Sequence, residues 1–315
     1  MEPVHESVLL SECLESLDIQ AGDIVVDGTI GGAGHFGAIL ERLGKEGILV
    51  GIDADGDAIT RAQVVADAHK GPTIHLANDN FRNLDAILEE RGIGAIDKAL
   101  FDLGWSSFHL TAGRGFSFRA DEPLFMTYGN PEEGKTAADL VNSATEEELA
   151  DIIFTYGEER FARGIARSIV QTRRAQPILT TTVLADAISR GTPGWYQHRR
   201  LHPATKTFQA LRIAVNDELG ALREGLAAAL ARLAPGGRIA VITFHSIEDR
   251  IVKGMLRDAV YQGAGKLVNK KPLVPSTAET ARNPRSRSAK LRVYERCDGT
   301  HGSLASLERA SLSLV

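Results

Sequence analysis

Short apolar runs alternate, over the first hundred residues, with stretches in which apolar positions recur every three or four residues. The runs at 23–27, 47–53, 73–76 and 97–102 are mostly bounded by glycine or aspartate. Such runs predict strands covered on both faces. The intervening segments, about 33–43, 57–69 and 82–91, predict helices. Strand–helix alternation with short links predicts right-handed crossovers and a mostly parallel, doubly wound α/β sheet. From about Trp105 the pattern stops. Residues 136–190 carry helical spacing alone, as in Leu149, Ile152, Ile153 and Tyr156, then Phe161, Ile165, Ile169 and Val170. A single long helix over 206–233 follows, with Leu211, Val215, Leu219, Leu222 and Leu226 in period. Pro235-Gly236-Gly237 is expected to end that helix and open a strand at 238–244. A helix at about 248–258 and closing strands at 266–268 and 290–295 complete the pattern. The expected organisation is one discontinuous α/β domain, 1–110 with 206–315, interrupted by an all-helical insertion at 111–205.

Composition supports a folded chain. The 315 residues are 43% hydrophobic and 24% charged, which excludes intrinsic disorder. No apolar run approaches the roughly 20 residues that span a bilayer. Met1-Glu2-Pro3-Val4-His5-Glu6 does not read as a signal peptide, and Cys13 and Cys297 form no disulfide framework or zinc spacing. A cytoplasmic location is therefore expected, and no metal site.

The net charge of −5 argues weakly against a polyanionic partner until it is divided along the chain. Residues 1–159 carry −20, residues 160–212 carry +9, and residues 266–296 carry +7. Local field rather than net charge attracts phosphates. The basic blocks are candidates for an RNA partner, against the plainer alternative of solvated helix faces.

The segment from Asp27 to Gly37 joins the first strand to the first helix and holds Gly28, Gly31, Gly32, Gly34 and Gly37. Glycines admit close backbone approach, and a helix start offers N–H groups. Gly32, Gly34 and Gly37 match G-x-G-x-x-G with Asp53 further on, so a nicotinamide dinucleotide must be weighed. Yet four residues separate Asp27 from Gly32, and a carboxylate at Asp27 suits a cation better than a pyrophosphate. S-adenosylmethionine, with its sulfonium and amino group, is the preferred ligand. Asp53 would take ribose hydroxyls in either case. Asp102 ends the fourth strand, at the edge where open sheets bind ligands. His245, Ser246 and Asp249 lack the elbow of a hydrolase triad.

Several segments, in order, resemble the bacterial 16S rRNA cytosine-N4 methyltransferases. They are Asp27-Gly28-Thr29 with Gly31 and Gly34-His35, Phe101-Asp102-Leu103-Gly104 with Ser106-Ser107, and Arg114-Gly115-Phe116-Ser117-Phe118. Tyr156-Gly157-Glu158-Glu159-Arg160, the run His202 to Ile213, and Val215-Asn216-Asp217-Glu218-Leu219 follow. Phe244 to Arg250 and Asn283 to Arg292 complete the set. The resemblance implies a class I methyltransferase fold and transfer of a methyl group from S-adenosyl-L-methionine to N4 of a decoding-centre cytosine. It implies cofactor contacts at Ala33, Gly34, His35, Asp53, Phe81, Asp102 and His109. Asp102 is the candidate catalytic proton acceptor. Trp105 and Phe108 are candidate walls for a base that has left its stack. Arg174, Arg200, Lys206, Arg212, Arg285 and Arg287 are expected to contact rRNA, within the small ribosomal subunit, with both basic blocks lining one cleft. The chain departs from the family pattern at Ala33, Phe36, Trp105, Phe108, His109, Phe125, Thr127 and Lys206. The competing functions are a non-catalytic rRNA-binding assembly protein and an NAD-dependent oxidoreductase.

Overall fold

The structure, a computed structural model, describes residues 6–104, 108, 113–132, 134–199 and 201–297. Contacts divide the chain into two compact units, residues 1–105 with 220–315 and residues 106–219.

The first unit is built on a sheet of seven strands among the described residues, in the order β3-β2-β1-β4-β5-β7-β6. The strands β1 (Ile24–Asp27), β2 (Ile48–Asp53), β3 (Thr73–Asn78), β4 (Ile96–Asp102) and β5 (Leu233–Thr243) are mutually parallel. The last two, β6 (Gly265–Leu267) and β7 (Lys290–Arg296), pair antiparallel. Helices α1 (Leu10–Leu17), α2 (Gly34–Leu43), α3 (Gly56–Ala68), α4 (Leu84–Glu90), α11 (Glu218–Arg232) and α12 (Ser246–Tyr261) surround it. Strand side chains alternate between two cores. Val25, Leu49, Leu100 and Ile242 pack on one face with Phe36 and Ile39 of α2. Val26, Val50, Phe101 and Val241 pack on the other with Leu222 of α11 and Val252 of α12. This two-sided burial is the physical reason the strand runs are uninterruptedly apolar.

One expectation is corrected in this unit. The fifth strand starts at Leu233, not 238, because Leu233 pairs with Ile96 before the register jumps to Lys98 opposite Arg238. Pro235-Gly236-Gly237 is the bulge between those pairings. Gly236 has φ 73°, and a Cβ on Gly237 would lie 2.8 Å from the carbonyl oxygens of Ala234 and Asp97. An N-terminal helix, α1, on which the sequence pattern is silent, precedes the sheet.

The second unit contains α5 (Ala137–Ser143), α6 (Glu146–Gly157), α7 (Ala162–Ala175), α8 (Thr181–Arg190), α9 (Gly194–Gln197) and α10 (Ala204–Asn216). Thr136 with Asp139 and Thr145 with Glu148 form capping boxes that start α5 and α6. Leu149, Ile153, Ile165, Ile169, Leu184, Phe208 and Leu211 form its core. The expected helix 206–233 is broken, since Asp217 adopts the left-handed region at φ 46°. The α10 half packs against α6 within the helical unit, so the return to the α/β unit falls at 219/220 rather than 205/206.

Candidate functional site

Parallel register brings three carboxylates to one edge of the sheet. Asp27 ends β1 opposite Gly51 of β2 and Leu100 of β4, while Asp53 and Asp102 end those two neighbours. The glycine loop is stitched across this edge. Gly28 N–H donates to the Leu100 carbonyl at 2.9 Å, and Ile30 N–H donates to the Ile52 carbonyl at 3.3 Å. Gly31 N–H donates to Asp53 Oδ2 at 2.8 Å. The Asp102 N–H donates to Thr29 Oγ1 at 2.6 Å. Gly28 is required by packing, for a Cβ there would lie 2.6 Å from the Phe101 ring.

Asp27 is wholly buried, and its Oδ2 has no hydrogen-bond partner among the described residues. Asp102 is only partly buried, but its Oδ1 is enclosed and likewise has no such partner. Burial is the main cause that pushes the Asp27 carboxyl up to about 7; Asp53 adds to it, and the Thr29 N–H opposes it. Burial, then the charges of Asp27 and Glu248, raise Asp102 well above the carboxylate range. Two acids with unfilled acceptor oxygens side by side are costly to ionise, and a cationic ligand would relieve both.

Of the remaining expected cofactor residues, the structure describes Ala33, Gly34, His35 and Phe81. Ala33 is the N-cap of α2 in the left-handed region, φ 60°, and Gly34 opens the helix. A Cβ on Gly34 would lie 2.0 Å from Ser7 Oγ. His35 is buried, with Nδ1 3.6 Å from Asp102 Oδ2. Phe81 lies in a 3-10 turn capped by Asn80, its ring tilted against Phe101 at 5.5 Å. His109 and Trp105 lie outside the described residues. Phe36, one of the departures from the family pattern, is a core residue, since it is fully buried and a Cβ on Gly51 would lie 2.7 Å from its ring. His245, whose side chain caps α12 with Glu248, forms no triad with Asp249, which takes Arg292 and Lys290 at 2.7 and 3.0 Å.

In the helical unit, Arg174 is exposed near the end of α7. Lys206 Nζ donates to the Glu158 carbonyl at 2.7 Å, which caps the C-terminus of α6. Arg212 is a correction. It is 7% exposed, and its guanidinium is bidentate on Glu218 at 2.7 and 2.8 Å. A buried guanidinium held that way is a structural tie, and Tyr128 Oη donates to the same Glu218 carboxylate at 3.1 Å. In the α/β unit, Arg285 and Arg287 are exposed on the turn before β7, whereas Arg292 is buried against Asp249. Arg200 lies outside the described residues. The buried Glu159, which accepts from Tyr196 Oη at 2.6 Å, is a fixing group that the sequence does not disclose, because sequence shows a charge but not its partner.

The segment 114–127 is held by its own backbone and by the Asn216 side chain. Met126 N–H donates to the Arg114 carbonyl at 2.8 Å and its carbonyl accepts from Asn216 Nδ2 at 2.7 Å. A Cβ on Gly115 would lie 2.4 Å from the Pro123 carbonyl oxygen. The departures at Phe125 and Thr127 fall in this turn, where Thr127 is buried.

Known proteins align with the chain over nearly its full length. A family model described as the MraW methylase family matches residues 2–297. A Deinococcus radiodurans protein named ribosomal RNA small subunit methyltransferase H is 48% identical over 302 residues, 95% of this chain and 92% of that one. A protein of the same name from Syntrophotalea carbinolica is 47% identical over 308 residues, 93% of this chain and 98% of that one. A third, from Heliobacterium mobile, is 45% identical over 313 residues, 94% of this chain and the whole of that one. With a sheet in which β7 alone of the seven described strands runs antiparallel to the rest and a carboxylate-lined glycine loop, the chain belongs to the MraW methylase family and is a methyltransferase of the class I fold.

Proposed function

We propose that this enzyme methylates the N4 amine of a decoding-centre cytosine in 16S rRNA, using S-adenosyl-L-methionine. Family membership supports the reaction class, and the names of the relatives support small-subunit rRNA as substrate. The observation that carries the cofactor is the pair of buried, unfilled acceptor oxygens on Asp27 and Asp102 beside the glycine loop. These residues fit a cationic ligand and disfavour a pyrophosphate, which sets the dinucleotide alternative aside.

When bound, S-adenosylmethionine supplies an electrophilic methyl group carried on a sulfonium. Asp27 would hold the cationic end, Asp53 the ribose hydroxyls, and Phe81 the adenine. Ala33, Gly34 and His35 would close the loop side of that site, with His109 as the remaining contact. A cytosine amine is a weak nucleophile because its lone pair is delocalised into the ring. Holding it in near-attack geometry is therefore the main task. Methylation leaves the nitrogen with a proton to lose, and Asp102, ionised only when a cation lies beside it, would accept that proton at Oδ1, its basicity raised by burial. Exposed Arg174, Arg285 and Arg287, with Lys206 and Arg200, would hold phosphates without reading sequence.

The decisive test is incubation with methyl-labelled cofactor and small ribosomal subunits, followed by mapping of the label. N4-methylcytosine in 16S rRNA is expected. Cofactor binding without transfer would favour the assembly-protein alternative instead.

A further inference from the structure

On α7, Arg163, Arg167, Gln171 and Arg174 recur at intervals of three or four, and all four are exposed. They share one helix face. Residues 160–212 hold ten cationic side chains and a single acid, Asp186, so this field is basic over more than one turn.

The face is shaped as well as charged. A Cβ on Gly164 would lie 2.6 Å from the Gly191 carbonyl oxygen, and one on Gly191 would lie 2.6 Å from Ile165 Cα. Backbone thus meets backbone where α7 passes the end of α8. Beside that contact runs an open groove of about 620 Å³, lined by Arg167, Gln171, Thr172, Gln176 and Arg190 and by no acidic residue. Arg190 is steadied by Thr172 Oγ1 at 3.0 Å, and Arg167 meets the exposed Glu146 at 3.4 Å. An exposed pair of that kind yields readily to a phosphate.

An aromatic cluster adjoins the groove, since Phe161 precedes Gly164 by three residues and Trp195 follows Gly191 by four. Trp195 is 57% exposed, with Phe161 edge-on at 5.9 Å and the Arg160 guanidinium 4.9 Å from its centroid. Arg199 lies 5.5 Å from the Tyr196 ring. The cluster has a rigid base. Buried Glu159 accepts from Tyr196 Oη at 2.6 Å through one oxygen and from Phe161 N–H at 3.0 Å through the other. An indole fixed by its neighbours yet open over half its surface loses little entropy when a flat ligand stacks on it.

We propose that this face of the helical unit binds an unpaired, single-stranded stretch of RNA, with a base stacked on Trp195 beside Arg160 and neighbouring phosphates against Arg167 and Arg190. Stacking platforms joined to basic grooves suit single strands, whereas an A-form duplex keeps its bases stacked out of reach. The inference rests on the proposed rRNA substrate, and it names the surface and the strand state.

The test uses the full chain, a fluorescently labelled unstructured oligoribonucleotide and an RNA hairpin, with anisotropy followed over a salt series. Trp195→Ala should weaken single-strand binding about tenfold, with Trp195→Phe restoring most of it and hairpin binding little changed. The double variant Arg167→Ala with Arg190→Ala should reduce the logarithmic salt slope by about 1.4, roughly 0.7 for each phosphate no longer neutralised. Matching urea midpoints would show that each variant is folded. Wild-type affinity in the Trp195→Ala protein, or an unchanged salt slope, would overturn the proposal. Methyl transfer by the wild type is measured in parallel. Transfer without a Trp195 effect removes the surface and leaves the reaction; a Trp195 effect without transfer does the reverse.

Discussion

The two units treat charge in opposite ways. At the sheet edge of the α/β unit, Asp27 and Asp102 each hold a buried acceptor oxygen left unfilled, an arrangement that is stable only while the groups are neutral or a cation is present. In the helical unit, Arg163, Arg167 and Arg174 stay in water along one helix face, while the buried Arg212 has its partner in Glu218. The first arrangement suits a small ligand that is wrapped, the second a long polyanion that is touched. Charge placed against the fold's interest marks a site more sharply than charge placed in its favour.

The largest expected effect breaks the α/β side of that contrast. Asp102→Asn should lower the methyl-transfer rate at least 100-fold, the usual scale for losing a positioned proton acceptor. Its urea midpoint at neutral pH should match or exceed the wild type, because a carboxyl that resists ionisation is replaced by an amide. Loss of both activity and stability would make Asp102 a structural residue.

Next comes the helical side, where two arginines of one sequence block should behave differently. Arg212→Ala leaves Glu218 buried without its guanidinium and should cost about 3 kcal/mol in urea unfolding. Arg174→Ala should leave unfolding within about 0.5 kcal/mol of wild type and weaken RNA binding, most at low salt. Equal behaviour of the two would erase the distinction between tie and contact.

The pH dependence of Asp27 sharpens the comparison from both directions. Its folded pKa, about 7, lies above the ordinary 3.8. Its contribution to the ligand-free fold is therefore complete below about pH 4 and is lost as pH rises through about 7. The loss is about 4 kcal/mol if the whole shift is expressed. Asp27→Asn should flatten that part of the curve in thermal unfolding. Cofactor affinity should run the other way in wild type, rising across the same window as the carboxylate forms. A pH-independent affinity would remove Asp27 from the cationic end of the ligand.

Much of this contrast was legible in the sequence, and the exceptions are physical. The sheet could be read because β1, β2, β4 and β5 are buried on both faces, so their runs are apolar, and the first, second and fourth are closed by Asp27, Asp53 and Asp102. The break at Asp217 was hidden because Leu211, Val215, Leu219 and Leu222 keep helical period straight through it, although they serve different units. Aspartate tolerates the left-handed region without announcing it as glycine would. The start of β5 was hidden by a bulge that looks like a turn. Arg212 and Arg174 look alike as letters, and only the fold shows that Glu218 claims one of them.

The smallest effect concerns the loop itself. Ala33 holds φ 60° at the start of α2, a conformation that costs a residue bearing a Cβ about 1 kcal/mol. Ala33→Gly removes that cost but adds a comparable freedom to the unfolded chain, so unfolding should shift by less than about 1 kcal/mol in either direction. Binding should be more sensitive than stability if the loop closes on a ligand. Glycine would let the Gly31–Gly34 backbone sample more conformations, and cofactor affinity should fall roughly two- to threefold, about 0.5 kcal/mol. Calorimetry with S-adenosylmethionine reads this directly. A tighter complex in the glycine variant would mean that the alanine methyl obstructs the loop, and that the strain at Ala33 opposes binding instead of preparing it.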